Sequence, residues 1–136
     1  MDPATATAAI NWLSILIAAV SAFMVGGLWY GPLFGKAWAE GFSFTEDYLA
    51  TRNMPRVFAV SLLLSFIAAI NLDMFIGADA TFAFGVFAGF AAGFGWVAAF
   101  LGILYLFEKR SLKVFLINGG YCVVALTVMG AILGAL

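Results

Sequence analysis

The sequence predicts an all-α integral membrane protein: an antiparallel bundle of four transmembrane helices, with one longer cytoplasmic loop between helices 1 and 2. Three observations carry this. Apolar residues make up 65% of the chain and charged residues 10%, against roughly 45–50% and 25% in soluble domains, and the mean hydropathy is +1.12. A soluble fold of that composition would leave its surface unwetted. Four long apolar stretches are separated by polar connections, and every lysine and arginine falls at two of those connections.

The stretches cover residues 8–30, 55–76, 82–107 and 112–133, within a single membrane domain of residues 1–136. At about 1.5 Å per residue each reaches across a hydrocarbon core of about 30 Å, with tilt in the longest. The third holds thirteen Phe, Leu, Ile or Val residues and no charge. At about −0.4 kcal/mol each these contribute about −5 kcal/mol to insertion, before its glycines are set against them. The first stretch lacks the basic flank of a signal peptide and is longer than an ordinary h-region, so it is expected to be a retained span.

The connections at residues 77–81 and 108–113 are short and join antiparallel neighbours. The loop at 31–54 is longer. In it Thr45 precedes Glu46 and Asp47, a cap followed by acidic first-turn residues, which predicts a short surface helix at 46–52. Pro55 opens the second span, where its missing N–H costs nothing. Gly31-Pro32 is expected to stop the first helix, because the residue before proline is pushed away from helical angles. Lys36, Arg52 and Arg56 flank the first connection and Lys109, Arg110 and Lys113 the third. Those connections share a side, which the positive-inside tendency assigns to the cytoplasm, with both termini outside.

In lipid, helices associate through close packing at small residues. Four-residue spacing sets Ser14, Ala18, Ala22 and Gly26 on one face of span one, and Ser61, Ser65 and Ala69 on one face of span two. Span three offers Gly85, Gly89 and Gly93, and span four Gly130 and Gly134. Packing within the bundle is the first reading of these stripes; self-association through span three is the second.

The stretch 26–38, GGLWYGPLFGKAW, holds more specified residues than a membrane exit needs. With Asn11-Trp12, Phe107-Glu108 and residues 115–134 (FLINGGYCVVALTVMGAILG), it resembles a family of small four-span bacterial membrane proteins, domain-of-unknown-function family 1761. The resemblance covers nearly the whole chain. It implies a four-helix bacterial membrane domain and carries no activity with it; the location expected is the bacterial cytoplasmic (inner) membrane, crossed in several passes.

Polar groups inside spans are costly and so mark candidate sites. On the cytoplasmic side Trp29, Tyr30, Lys36, Glu108, Asn118 and Tyr121 are expected to line one cup for a lipid headgroup, a small solute or a partner helix. On the outer side Asn11, Asn71, Asp73 and Asp79 form a polar set, read as a solvated rim or a cation-attracting vestibule. The chain has no histidine and one cysteine, Cys122, so the commonest metal ligand and general base are missing. No catalytic residues, metal or cofactor are expected, no basic run suits nucleic acid, and Cys122 is expected to be inert. The function expected is that of a non-catalytic structural or interaction subunit, or a lipid-organising bundle. Its partners would be membrane lipids and either further copies or a larger membrane complex. The alternative is a homo-oligomeric pore or small-solute transporter, against which stand the absence of deep intramembrane charge, of inverted repeats and of mid-membrane helix breaks.

Overall fold

The computed structural model describes residues 10–136, and every regular element among them is helical. Helix α1 (Trp12–Leu28) runs on through a π-helical turn, Trp29–Leu33. Two short helices follow, α2 (Gly35–Phe42) and α3 (Glu46–Ala50). The remainder comprises α4 (Met54–Ile76), α5 (Phe82–Ala92), a π-helical segment Gly93–Ala98, α6 (Ala99–Phe107) and α7 (Leu112–Ala135). Four spans result: Trp12–Leu33, Met54–Ile76, Phe82–Phe107 and Leu112–Ala135, each long and apolar enough to cross a membrane. This is a multi-pass membrane protein.

Local chemistry sets the helix starts. Asn11, Thr45, Asn53, Thr81 and Ser111 each cap a helix, with a side-chain oxygen accepting a backbone N–H three residues on. A cap of this kind contributes about 1 kcal/mol. The sequence places the start of span one at residue 8. Residues 8 and 9 lie outside the described residues, and α1 begins where Asn11 caps it. After α4 the chain turns at Gly77, whose φ of 84° suits glycine.

Two expectations need correction. Gly31-Pro32 does not end the first helix: the helix widens into the π turn with Pro32 inside it, and Phe34 N–H donates to Trp29 O at 2.7 Å. Gly31 has no Cβ to clash with the proline ring, and the wider turn makes room for it. The chain then enters α2, a helix that the sequence reading misses. Span three is also not an unbroken α-helix, since Gly93–Ala98 is π-helical near its middle.

That second π segment has a packing cause. Gly85, Gly89 and Gly93 lie buried against span four, and after one extra residue Ala98 and Gly102 take over the same face. The spacing 4, 4, 5, 4 keeps small residues at the contact, which a straight α-helix would hand to Val97 and Leu101. A methyl on Gly85 would strike the Gly130 carbonyl, and one on Gly89 the Leu126 carbonyl. One on Gly93 would meet the Val123 backbone. The helices thus approach to backbone contact, where dispersion and Cα–H···O contacts hold them.

The spans form an arc: span three lies on span four, span four on span one, and span one on span two. The core sits where spans one, two and four converge, at Ile15, Ala18, Ala19, Ala22, Ala69 and Met129. Of the expected stripe on span two only Ala69 is buried; Ser61 is exposed and Ser65 half-buried. Spans two and three meet through α5, beside the connection they share, and separate beyond it. A groove of about 480 Å³ opens between them.

Candidate functional site

The π turn at the end of span one aims two consecutive aromatics at span four. Trp29 Nε1 donates to Ile117 O at 2.7 Å. Tyr30 Oη donates to Asn118 Oδ1 at 2.6 Å, and Asn118 Nδ2 in turn donates to Tyr105 Oη at 2.6 Å. One turn deeper, Tyr121 Oη donates to Ala22 O at 3.0 Å. The Tyr30 and Tyr121 rings meet edge to face at 5.4 Å, a favoured aromatic geometry. Asn118 and Tyr121, three apart on one face of α7, therefore grip span one while Asn118 also reaches span three.

Small residues make the room. Gly26 lies under the Tyr121 ring and Gly120 under Trp29, in each case at side-chain contact distance for an added Cβ. Gly41 lets α2 settle onto Val114, where a methyl group would collide. From α2, Trp38 packs edge-on to Tyr30 at 5.6 Å and onto Phe42 and Phe44. Phe42 meets Tyr105 at 6.3 Å, and the Arg110 guanidinium sits over its ring at 4.8 Å. The loop is thus fastened to the bundle by aromatic contacts and a cation–π pair.

Of the residues expected to line the cup, the structure brings together Trp29, Tyr30, Asn118 and Tyr121. Lys36 and Glu108 are exposed, and neither makes a hydrogen bond or ion pair among the described residues. Tyr105, which the sequence reading passes over, completes the chain of hydrogen bonds. Its signal is positional: 98, 102 and 105 share one face of span three once the π segment is known.

The outer set does not converge. Asn11 caps α1, Asn71 Nδ2 donates back to Ile67 O of its own helix at 3.0 Å, Asp73 is half-buried and Asp79 exposed. Gly85, Gly89, Gly93, Gly130 and Gly134 are occupied between spans three and four, so that stripe is closed to self-association. Cys122 is a half-buried thiol of span four.

Chemically the cluster is a set of neutral donors and acceptors bonded to one another and to backbone carbonyls. Among the described residues no buried side-chain nitrogen or oxygen lacks a partner, and no three acidic or thiol groups converge as a metal site would need. The one ion pair described, Lys113 Nζ to Glu40 Oε2 at 3.9 Å, has both side chains more than half exposed. Removing both charges, Glu40→Gln with Lys113→Gln, should lower the unfolding free energy in detergent by no more than about 0.5 kcal/mol. A loss of several kcal/mol would show that the pair anchors the loop.

Residues 13–134 match a family described as Protein of unknown function (DUF1761). No curated protein matches the chain, and no solved structure does.

Proposed function

The chain belongs to the DUF1761 family, whose function is unknown, and for it we propose the role of a non-catalytic accessory subunit of the bacterial inner membrane. The spans alternate in direction as an antiparallel bundle, with both termini outside and the basic loops in the cytoplasm. The protein acts by presenting lipid-facing helices to other membrane components, as a structural or interaction subunit or as an organiser of lipid. It does so as an oligomer or within a larger complex. One observation carries the reading: the polar side chains of the aromatic cluster are spent on holding helix to helix. Trp29, Tyr30, Tyr121 and Asn118 all bond within the chain, and a site that turns over substrate needs groups left free to meet it.

Site-specific photocrosslinking tests this in the native membrane. A benzophenone amino acid replaces Phe100 on span three, Phe58 on span two or Met24 on span one, all exposed to lipid. The expected result is one discrete adduct to an integral membrane protein or a second copy, from one face and not the others. Uniform labelling of bulk lipid from every face would overturn it.

The pore reading makes a different demand. Glu108→Gln should alter ion flux in liposomes if the protein conducts. The exposed, unbonded position of Glu108 at the end of α6 leads us to expect no change in flux and no loss of fold.

A further inference from the structure

The way α6 ends decides where one arginine goes. Lys109 takes a left-handed φ of 57°. Its N–H donates back to Leu106 O at 3.3 Å, and that of Arg110 to Tyr105 O at 2.9 Å. This paired closure of a helix C-terminus reverses the chain. It leaves the Arg110 guanidinium over the Phe42 ring, 4.8 Å from its centre. A ring holds a cation in place without neutralising it. Among the described residues the guanidinium meets no carboxylate or carbonyl, whereas Arg52 spends its Nε on Leu49 O.

A second cation reaches the same stretch of α2. Lys113, in the first turn of α7, sets its Nζ 3.9 Å from Glu40 Oε2. Between these two contacts Gly41 lies against Val114. Glu40, Gly41 and Phe42, consecutive in α2, thus meet Lys113, Val114 and Arg110, and both cations are held against a single turn of helix. One weakly engaged carboxylate stands against them. Beside them in the chain are apolar side chains open to lipid: Leu106 is 80% exposed, Phe107 87% and Leu112 71%. Uncompensated positive charge and exposed apolar surface therefore occur together where spans three and four join.

We propose that this corner binds the phosphate of an anionic phospholipid, held by Arg110 and Lys113, with its acyl chains leaving past Leu106, Phe107 and Leu112. Arginine supplies a planar fork that fits phosphate oxygens, and lysine a point charge. A zwitterionic headgroup brings its own ammonium to a cationic surface and is disfavoured. A soluble phosphate gains nothing from the apolar neighbours. The proposal rests on the lipid-organising part of the accessory-subunit reading and deepens it by naming the lipid class. Its failure would leave the partner part of that reading to the photocrosslinking result.

The test is lipid retention by the full chain, released from nanodiscs of equal dioleoylphosphatidylglycerol and dioleoylphosphatidylethanolamine and read by native mass spectrometry. The expected result is phosphatidylglycerol retained about tenfold over phosphatidylethanolamine. Arg110→Gln and Lys113→Gln should each cut that preference about fivefold, the contribution of one cation at a membrane surface. Arg110→Lys keeps the charge and loses the fork, and should cut it about twofold. Arg56→Gln removes a charge at the start of span two, which separates from span three toward this end; screening should hold its effect below about twofold. Circular dichroism checks that each variant folds. Excess inorganic phosphate should leave the lipid in place, and its displacement would overturn the lipid source in favour of a soluble anion. Equal retention of the two lipids by the wild-type chain would overturn the proposal. So would an Arg56→Gln loss as large as that of Arg110→Gln, since charge would then act without the contacts to α2.

Discussion

Gly89→Val should be the most damaging single substitution in the transmembrane region. A Cβ at this position would run into the Leu126 carbonyl oxygen and crowd Thr127 Cα. Both are backbone atoms of α7, so no rotamer change on the partner helix can relieve the contact. Overpacking of side chain against side chain costs about 1–3 kcal/mol; here span four itself must move. Moving it opens the neighbouring contacts, since Gly130 lies against Gly85 and Gly134 against the Thr81 carbonyl. A loss of about 3 kcal/mol or more follows, a large share of the ~5–15 kcal/mol that holds a domain of ordinary stability. Unfolding in mixed micelles with rising dodecyl sulfate, followed by circular dichroism, measures it. Gly95→Val is the control, because no atom lies within 4 Å of a Cβ added there, and it should stay within about 0.5 kcal/mol of wild type. Equal behaviour of the two variants would mean that spans three and four do not meet at their glycines.

The contrast between those glycines shows what the sequence discloses. Hydropathy marks the four spans because hydrocarbon imposes a length and a composition on any helix that crosses it. The four-residue glycine spacing marks which face is small. It does not say that Gly95 is open while Gly93 is buried, two residues away. That depends on the π segment, which sequence periodicity of 3.6 cannot announce. The five-residue step from Gly93 to Ala98, followed by Gly102, is its trace, readable only once span four is known to be the partner. The aromatic cluster divides in the same way. Asn118 and Tyr121 stand out as polar groups inside a span. Lys36 and Glu108 stand out only by charge, and charge at a membrane surface is satisfied by water and headgroups, so nothing draws them inward. Tyr105 is hidden among apolar neighbours, although its hydroxyl is the last acceptor in the chain of bonds. The outer set of Asn11, Asn71, Asp73 and Asp79 shares an end of the molecule and little else. A cap, a helix-internal bond and an exposed turn residue account for Asn11, Asn71 and Asp79.

Asn118→Leu should loosen the loop before it unfolds the spans. The substitution conserves volume, inserts without cost to hydropathy, and removes both the acceptor for Tyr30 Oη and the donor to Tyr105 Oη. Leaving such groups unpaired costs about 1–3 kcal/mol in a buried protein site. Interhelical bonds in membranes average nearer ~0.6 kcal/mol and reach ~1.7, so a global loss of about 1–2 kcal/mol is expected. The local effect is the sharper one. Tyr30 positions Trp38 by edge-to-face contact, and Trp38 with Phe42 fastens α2 to the bundle. With Tyr30 released, amide hydrogen exchange across α2 should accelerate about tenfold while the core of α7 around Ala125 and Met129 keeps its protection. The pair Tyr30→Phe and Asn118→Leu then closes a double-mutant cycle. A coupling of about 1 kcal/mol identifies their hydrogen bond as the linkage. Additive losses, with α2 exchange unchanged, would show that the aromatic packing alone holds the loop and that Asn118 serves span four by itself.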